Sequence, residues 1–142
     1  MDSLDILKPV FAMALLTMAV AIWMLFTRIP AMVRLKIHPQ KGQDTRELRE
    51  YLPHEVNRVS NNYNHLFEQP TLFYAVCISI AVLGFTDTFF VYAAWCFVAF
   101  RVCHTLVQGL IDIVVLRFYL FIASWVVLMV MIVRASLLIF VA

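Results

Sequence analysis

Hydrophobic and polar positions fall in long blocks along this chain. No charge lies between Lys8 and Arg28, between Glu68 and Asp87, or between Arg117 and Arg134, and Arg101 is the only charge between Asp87 and Asp112. A helix needs about 20 apolar residues, each rising about 1.5 Å, to cross a hydrocarbon core of roughly 30 Å, so each block is long enough to span a bilayer. The pattern predicts four transmembrane helices: Leu7 to Arg34, Glu55 to Leu83, Thr86 to Ile111 and Leu116 to Leu138. A soluble bundle would need a polar stripe on every helix, and the first and last runs carry none. The segment from Lys36 to Pro53, with His38, Pro39, Gly42 and a charge-mixed run, reads as a loop with a short helix in it. Gly84 to Thr88 reads as a tight connector.

Composition sharpens this picture. Over 142 residues, 63% are hydrophobic and 14% charged, which indicates one all-α integral membrane domain over residues 1–142, a four-helix bundle. Asp2 and Asp5 stand where a cleavable leader would be basic, and the apolar run is too long for such a leader, so the first helix is expected to stay. Seven of the eleven Lys and Arg residues lie between Arg28 and Arg58, and Arg101 and Arg117 flank the connection between helices 3 and 4. Those cations share one side, which the positive-inside rule assigns to the cytoplasm, with both termini outside. In a bacterium that means the inner membrane, with the termini in the periplasm. The cations serve topology and a site, and no nucleic-acid partner is expected. Cys77, Cys96 and Cys103 lack zinc-ligand or redox spacing and read as small apolar packing residues.

Two polar stripes interrupt the apolar blocks. Arg58, Asn61, Asn62, His65 and Gln69 share one face of helix 2, and Arg101, His104, Thr105, Gln108 and Asp112 share one face of helix 3. Polar groups in lipid are costly unless paired, so the stripes should face each other or a shared cavity. Interhelical hydrogen bonding alone accounts for the asparagines and Gln108 as well as function does. Several cations converging on one region, with only Glu68 and Asp112 near to balance them, point instead to an anionic ligand. Arg28 and Lys36 serve equally as interfacial anchors. His65, Glu68, His104 and Asp112 do not repeat the paired Glu-x-x-His of metal-binding bundles, so no metal is expected. The aromatic residues, Phe67, Phe73, Tyr74, Phe89, Phe90, Tyr92, Trp95, Phe118, Tyr119, Phe121 and Trp125, read as lipid-facing packing and interface belt.

These motifs together resemble the MAPEG family, the membrane-associated proteins of eicosanoid and glutathione metabolism. The run Asn64 to Tyr74 is similar to the family's bacterial branch, and Arg58 with Asn62 matches its Arg-x-x-x-Asn pair. Arg101, Val102, Cys103, His104 and Thr105 resemble the Arg-Val-x-His-Thr of the prostaglandin E synthase branch, as do Val33 to Lys36. Arg117 follows at the spacing of that branch's catalytic arginine. The resemblance covers essentially the whole chain.

It implies a homotrimer in membrane lipid, with glutathione as cosubstrate held between neighbouring subunits near the cytoplasmic face and a lipophilic second substrate arriving from the bilayer. Arg117 would be the catalytic thiolate stabiliser, since a fixed cation beside sulfur lowers the thiol pKa. Arg34 and Arg58 would clamp the carboxylates, Asn62 would hydrogen-bond the tripeptide and Glu68 would take its amine, with Arg101 and His104 completing the binding set. The chain departs from the family where His65 replaces an acid, where Phe118 follows Arg117 in place of a serine, and where Thr105 and Gln108 stand instead of tyrosines. The expected function is a glutathione-dependent transferase or peroxidase. The alternative is a non-catalytic lipid-binding or scaffold protein of the same fold. A small exporter is disfavoured, because no acid lies between Asp5 and Asp44.

Overall fold

A computed structural model describes residues 2–40 and 45–141. Its elements are α1 (Ser3–Arg34), α2 (Thr45–Tyr51), α3 (His54–His65), α4 (Gln69–Val82), α5 (Thr88–Leu106), a π-helical turn (Val107–Ile111) and α6 (Val114–Val141). Four helical stretches are long and apolar enough to cross a membrane: Ser3–Arg34, His54–Val82, Thr88–Ile111 and Val114–Val141. They match the four predicted spans to within a turn or so at each end. The short helix expected in the loop is α2; Gly42 lies outside the described residues.

The second span differs from its prediction because it is broken. Pro70 has no N–H to give and its ring crowds the carbonyl four residues earlier, so α3 ends at His65 and α4 begins afresh at Gln69. The third span also departs from a plain α-helix: the amide of Asp112 bonds the Val107 carbonyl at 2.6 Å, five residues back, and Asp112 adopts φ 56° to close the turn.

Helix α5 is the hub, with half of its span buried, and it touches both α1 and α6. Met13 and Val20 of α1, Phe73, Cys77 and Ile80 of α4, Phe90, Ala94 and Phe97 of α5, and Leu128 and Met131 of α6 fill the core. Phe73 and Phe97 stack with centroids 4.3 Å apart and planes 9° from parallel. Phe73 and Phe90 are therefore core residues and not part of the lipid-facing belt. The cysteines divide as well: Cys77 is buried, whereas Cys96 and Cys103 are exposed on the outer surface of α5. Exposed Phe11, Leu15, Met18, Ile22 and Leu25 on α1, with Phe118, Val126 and Val133 on α6, leave broad apolar faces that suit lipid or a neighbouring copy.

The connection between spans 1 and 2 and the connection between spans 3 and 4 lie at the same end, since His54 Nε2 comes within 3.6 Å of Asp112 Oδ2. There Leu48 of α2 and Leu52, just beyond its end, pack on Ala31 and Val56, and Asn57 Nδ2 donates to the carbonyls of Arg49 and Leu52 at 2.8 and 3.0 Å. At the opposite end Gly84, with φ 71°, closes α4. Its amide and that of Phe85 bond the carbonyls of Ala81 and Ile80, a Schellman arrangement. Asp87 then caps α5 by accepting from the Phe90 amide at 2.9 Å, and it pairs with Arg134. Arg134 in turn lies over the Phe89 and Phe90 rings.

Candidate functional site

The break in the second span creates the first piece of the site. In an unbroken helix the amide four residues on would satisfy the His65 carbonyl; here Arg101 Nη2 reaches it at 3.1 Å. Arg101 Nη1 donates to Gln69 Oε1 at 3.4 Å, and Ser124 Oγ of α6 donates to the same oxygen at 2.9 Å. Asn62 accepts from Thr105 at 3.5 Å. The two polar stripes thus face each other, as their periodicities require. Arg101 is fully buried, and both of its partners are neutral. Buried Arg58 Nε, Asn62 Nδ2, Gln69 Nε2, Arg101 Nε, His104 Nδ1 and Gln108 Oε1 have no protein partner. This network carries net positive charge and unused hydrogen-bonding capacity where both are costly to leave unmatched.

The second piece is built by the π-helical turn. Val107–Ile111 and the left-handed Asp112 reverse the chain so that α6 begins at Val114 and sets Arg117 beside the end of α5. Asp and Asn adopt this backbone region at less cost than other residues with a Cβ. Gly109 is required in the turn for a different reason: a Cβ there would sit 2.5 Å from Cζ3 of the Trp23 ring of α1. Arg117 Nη1 donates to Asp112 Oδ1 at 2.9 Å, and the two side chains are 29% and 16% exposed.

His65, His104, Val114, Arg117, Phe118 and Phe121 line an open cleft of about 180 Å³ beside this pair. The His65 and His104 rings meet edge to face at 6.3 Å, and His104 lies 6.4 Å from Phe121. A cation and two imidazoles line the cleft together with the aromatic rings of Phe121 and of Phe118, which is 59% exposed. A small anion could be held by Arg117, while an apolar molecule could lie against Phe118 and Phe121.

Of the site residues read from the sequence, Asn62, Arg101 and His104 come together at the α3–α5 contact, and Arg117 borders the same region through the cavity it shares with His104. Arg58 is half-buried on α3. Arg34 stands exposed at the end of α1 and makes no hydrogen bond or ion pair among the described residues. Glu68 points outward, 59% exposed, and accepts a hydrogen bond at 3.0 Å from His65 Nδ1. Sequence reasoning missed Ser124, although it is the one hydroxyl within the apolar run from Phe121 to Val133. It also missed that Asp112 pairs with Arg117. Among the described residues no group of three His, Cys, Asp or Glu side chains is placed to hold a metal ion.

No curated protein and no solved structure matches the chain. The sequence profile of the MAPEG family does match it, over residues 6–137, which takes in the second and third spans whole, most of the first and fourth, both polar stripes and Arg117. By that match the chain belongs to the MAPEG family.

Proposed function

We propose that this protein is a glutathione-dependent membrane transferase or peroxidase of bacterial type. The observation that carries the reading is the cleft that Arg117, His65 and His104 line together with the aromatic rings of Phe118 and Phe121. Glutathione binds with its sulfur at Arg117, whose charge favours the thiolate. Arg34 and Arg58 take the two carboxylates, Asn62 hydrogen-bonds the peptide and Glu68 takes the amine. His104 orients the thiol end. Arg101, committed to His65 and Gln69, holds the broken helix and contributes positive potential.

With an aromatic halide, the thiolate attacks the ring carbon, a C–S bond forms and halide leaves. With a lipid hydroperoxide, sulfur attacks the distal oxygen, the O–O bond breaks and the lipid alcohol leaves. A second glutathione then displaces water from the sulfenic acid to give the disulfide. The protein works as a homotrimer, in which Arg34 of one subunit can serve the site of a neighbour. It sits in the bacterial inner membrane with both termini outside and the α2 end in the cytoplasm, the orientation that the cation count favours.

One observation favours a second reading. Asp112 already neutralises Arg117, as suits a lipid-binding or scaffold protein that performs no chemistry. Turnover of an aromatic halide and of a hydroperoxide by purified protein separates the two. An enzyme turns over at least one of them, and Arg117→Ala lowers that rate on the order of a hundredfold, as expected for loss of one preorganised charge. Absence of both activities in the wild type, with glutathione saturating, favours the scaffold.

A further inference from the structure

A separate cavity of about 170 Å³ lies between α1, α2 and α3, and Arg28, Arg49, Asn57, Ser60, Tyr63 and Asn64 supply its polar lining. It shares no lining residue with the cavity at Arg117. Four other cations have partners: Lys8 with Asp5, Arg117 with Asp112, Arg134 with Asp87, and Arg101 with Gln69 and the His65 carbonyl. Arg28 and Arg49 have no acidic partner among the described residues. Arg28 is half-buried and sits on α1 before Arg34, about 9 Å deeper along the helix at 1.5 Å per residue. A guanidinium at that depth is costly without an anion, and anionic headgroups lie at this level of a membrane. Around the two cations stand the Ser60 hydroxyl, the Tyr63 phenol and the Asn64 amide, each able to donate to a phosphate oxygen, while Asn57 is held by the Arg49 and Leu52 carbonyls.

We propose that Arg28 and Arg49 form an anion site for a phosphate group, distinct from the glutathione site. The phosphate belongs either to an anionic lipid headgroup or to a soluble phosphate ester. The neighbouring surface favours the lipid. Ile22, Leu25, Phe26, Ile29 and Pro30 of α1 line a wholly apolar groove, and Leu25 and Ile29 flank Arg28 in sequence, so acyl chains can run along the helix that holds the headgroup.

The test uses full-length protein in nanodiscs of phosphatidylcholine, with and without 20% phosphatidylglycerol as an assay condition of about that fraction. Native mass spectrometry counts retained lipid, and titration with inorganic phosphate and glycerol 3-phosphate reads soluble binding. Wild type should retain phosphatidylglycerol over phosphatidylcholine by about tenfold or more, and Arg28→Gln with Arg49→Gln together should abolish the preference. Retained lipid that millimolar glycerol 3-phosphate does not displace identifies a lipid site. Saturable binding of the soluble ester, lost in the double variant, identifies a soluble phosphate. Arg49→Gln alone, at an exposed position, serves if the double variant does not fold. Equal phosphatidylglycerol retention by wild type and variants, with no binding of the soluble esters, overturns the proposal. So does loss of glutathione binding in the variants with lipid retention intact, since the cavity would then belong to the glutathione site.

Discussion

Replacing Asp112 by Asn should make the cation at Arg117 more effective. The two side chains are 2.9 Å apart and mostly shielded, so the carboxylate opposes any anion that Arg117 holds on its other face. On the proposed reading, a thiolate on the far side of the guanidinium would lie about 6 Å from the carboxylate. At an effective dielectric constant of about 40 for this partly exposed site, the repulsion is about 1.4 kcal/mol. That corresponds to about one pKa unit of the bound thiol. Asn keeps the shape, and it tolerates the φ of 56° at this position, so the turn should survive. Because removing a negative charge favours the ionised form, the thiol pKa must fall. The assay is thiolate absorbance near 240 nm against pH, with glutathione saturating. The midpoint in Asp112→Asn should lie about one unit below wild type. His54→Ala should change little, since His54 is 78% exposed and 3.6 Å from the carboxylate. A midpoint in Asp112→Asn that stays in place or rises would refute the electrostatic reasoning.

Two further outcomes follow from the packing. Gly109→Ala should destabilise the protein by about 1–3 kcal/mol, because the new methyl must displace the Trp23 ring. Thermal unfolding in detergent measures this, and Trp23→Leu in the same chain should recover most of the loss; no loss in the single variant would contradict the close approach. At the opposite end, partial burial pushes the Asp87 carboxyl up. The hydrogen bond and charge of Arg134 and the amides of Phe90 and Phe89 outweigh it and hold the carboxyl below its ordinary value of 3.8. A folded-state pKa that is depressed stabilises above the unfolded pKa and is lost as pH falls through the folded value. Asp87→Asn should therefore be less stable than wild type at pH 6, by about 1 kcal/mol or less for a half-exposed pair, with the gap closing as pH falls below the ordinary carboxyl value of 3.8 and through the depressed folded value. A gap that is independent of pH would show that the charge is not what stabilises this corner.

The four spans and the meeting of the two stripes were legible in the sequence because both follow from charge spacing and helical period. Asn62 with Thr105, and Arg101 with Gln69, confirm that neighbouring polar faces find each other. The local breaks in regular structure were less legible. Pro70 was visible, but not that Arg101 would take up the carbonyl exposed by the break. Nor does a period of 3.6 residues anticipate the π-helical turn, which depends on Gly109 admitting Trp23 from a distant helix. That turn is what brings Asp112 against Arg117, so their pairing was hidden as well. In lipid, hydrophobicity alone does not tell inside from outside, because the solvent is as apolar as the core. Hence Phe73 is buried and Phe118 exposed, and Cys77 is buried and Cys96 exposed, without a compositional signal to separate them.

Equilibrium glutathione binding to purified protein, read together with thiolate absorbance near 240 nm in wild type and Arg117→Ala, bears most directly on whether Arg117 activates the thiol. Binding by both proteins, with the thiolate signal present in wild type and lost in Arg117→Ala, is the predicted result. No binding at millimolar glutathione, or a thiolate signal unchanged by Arg117→Ala, would contradict it.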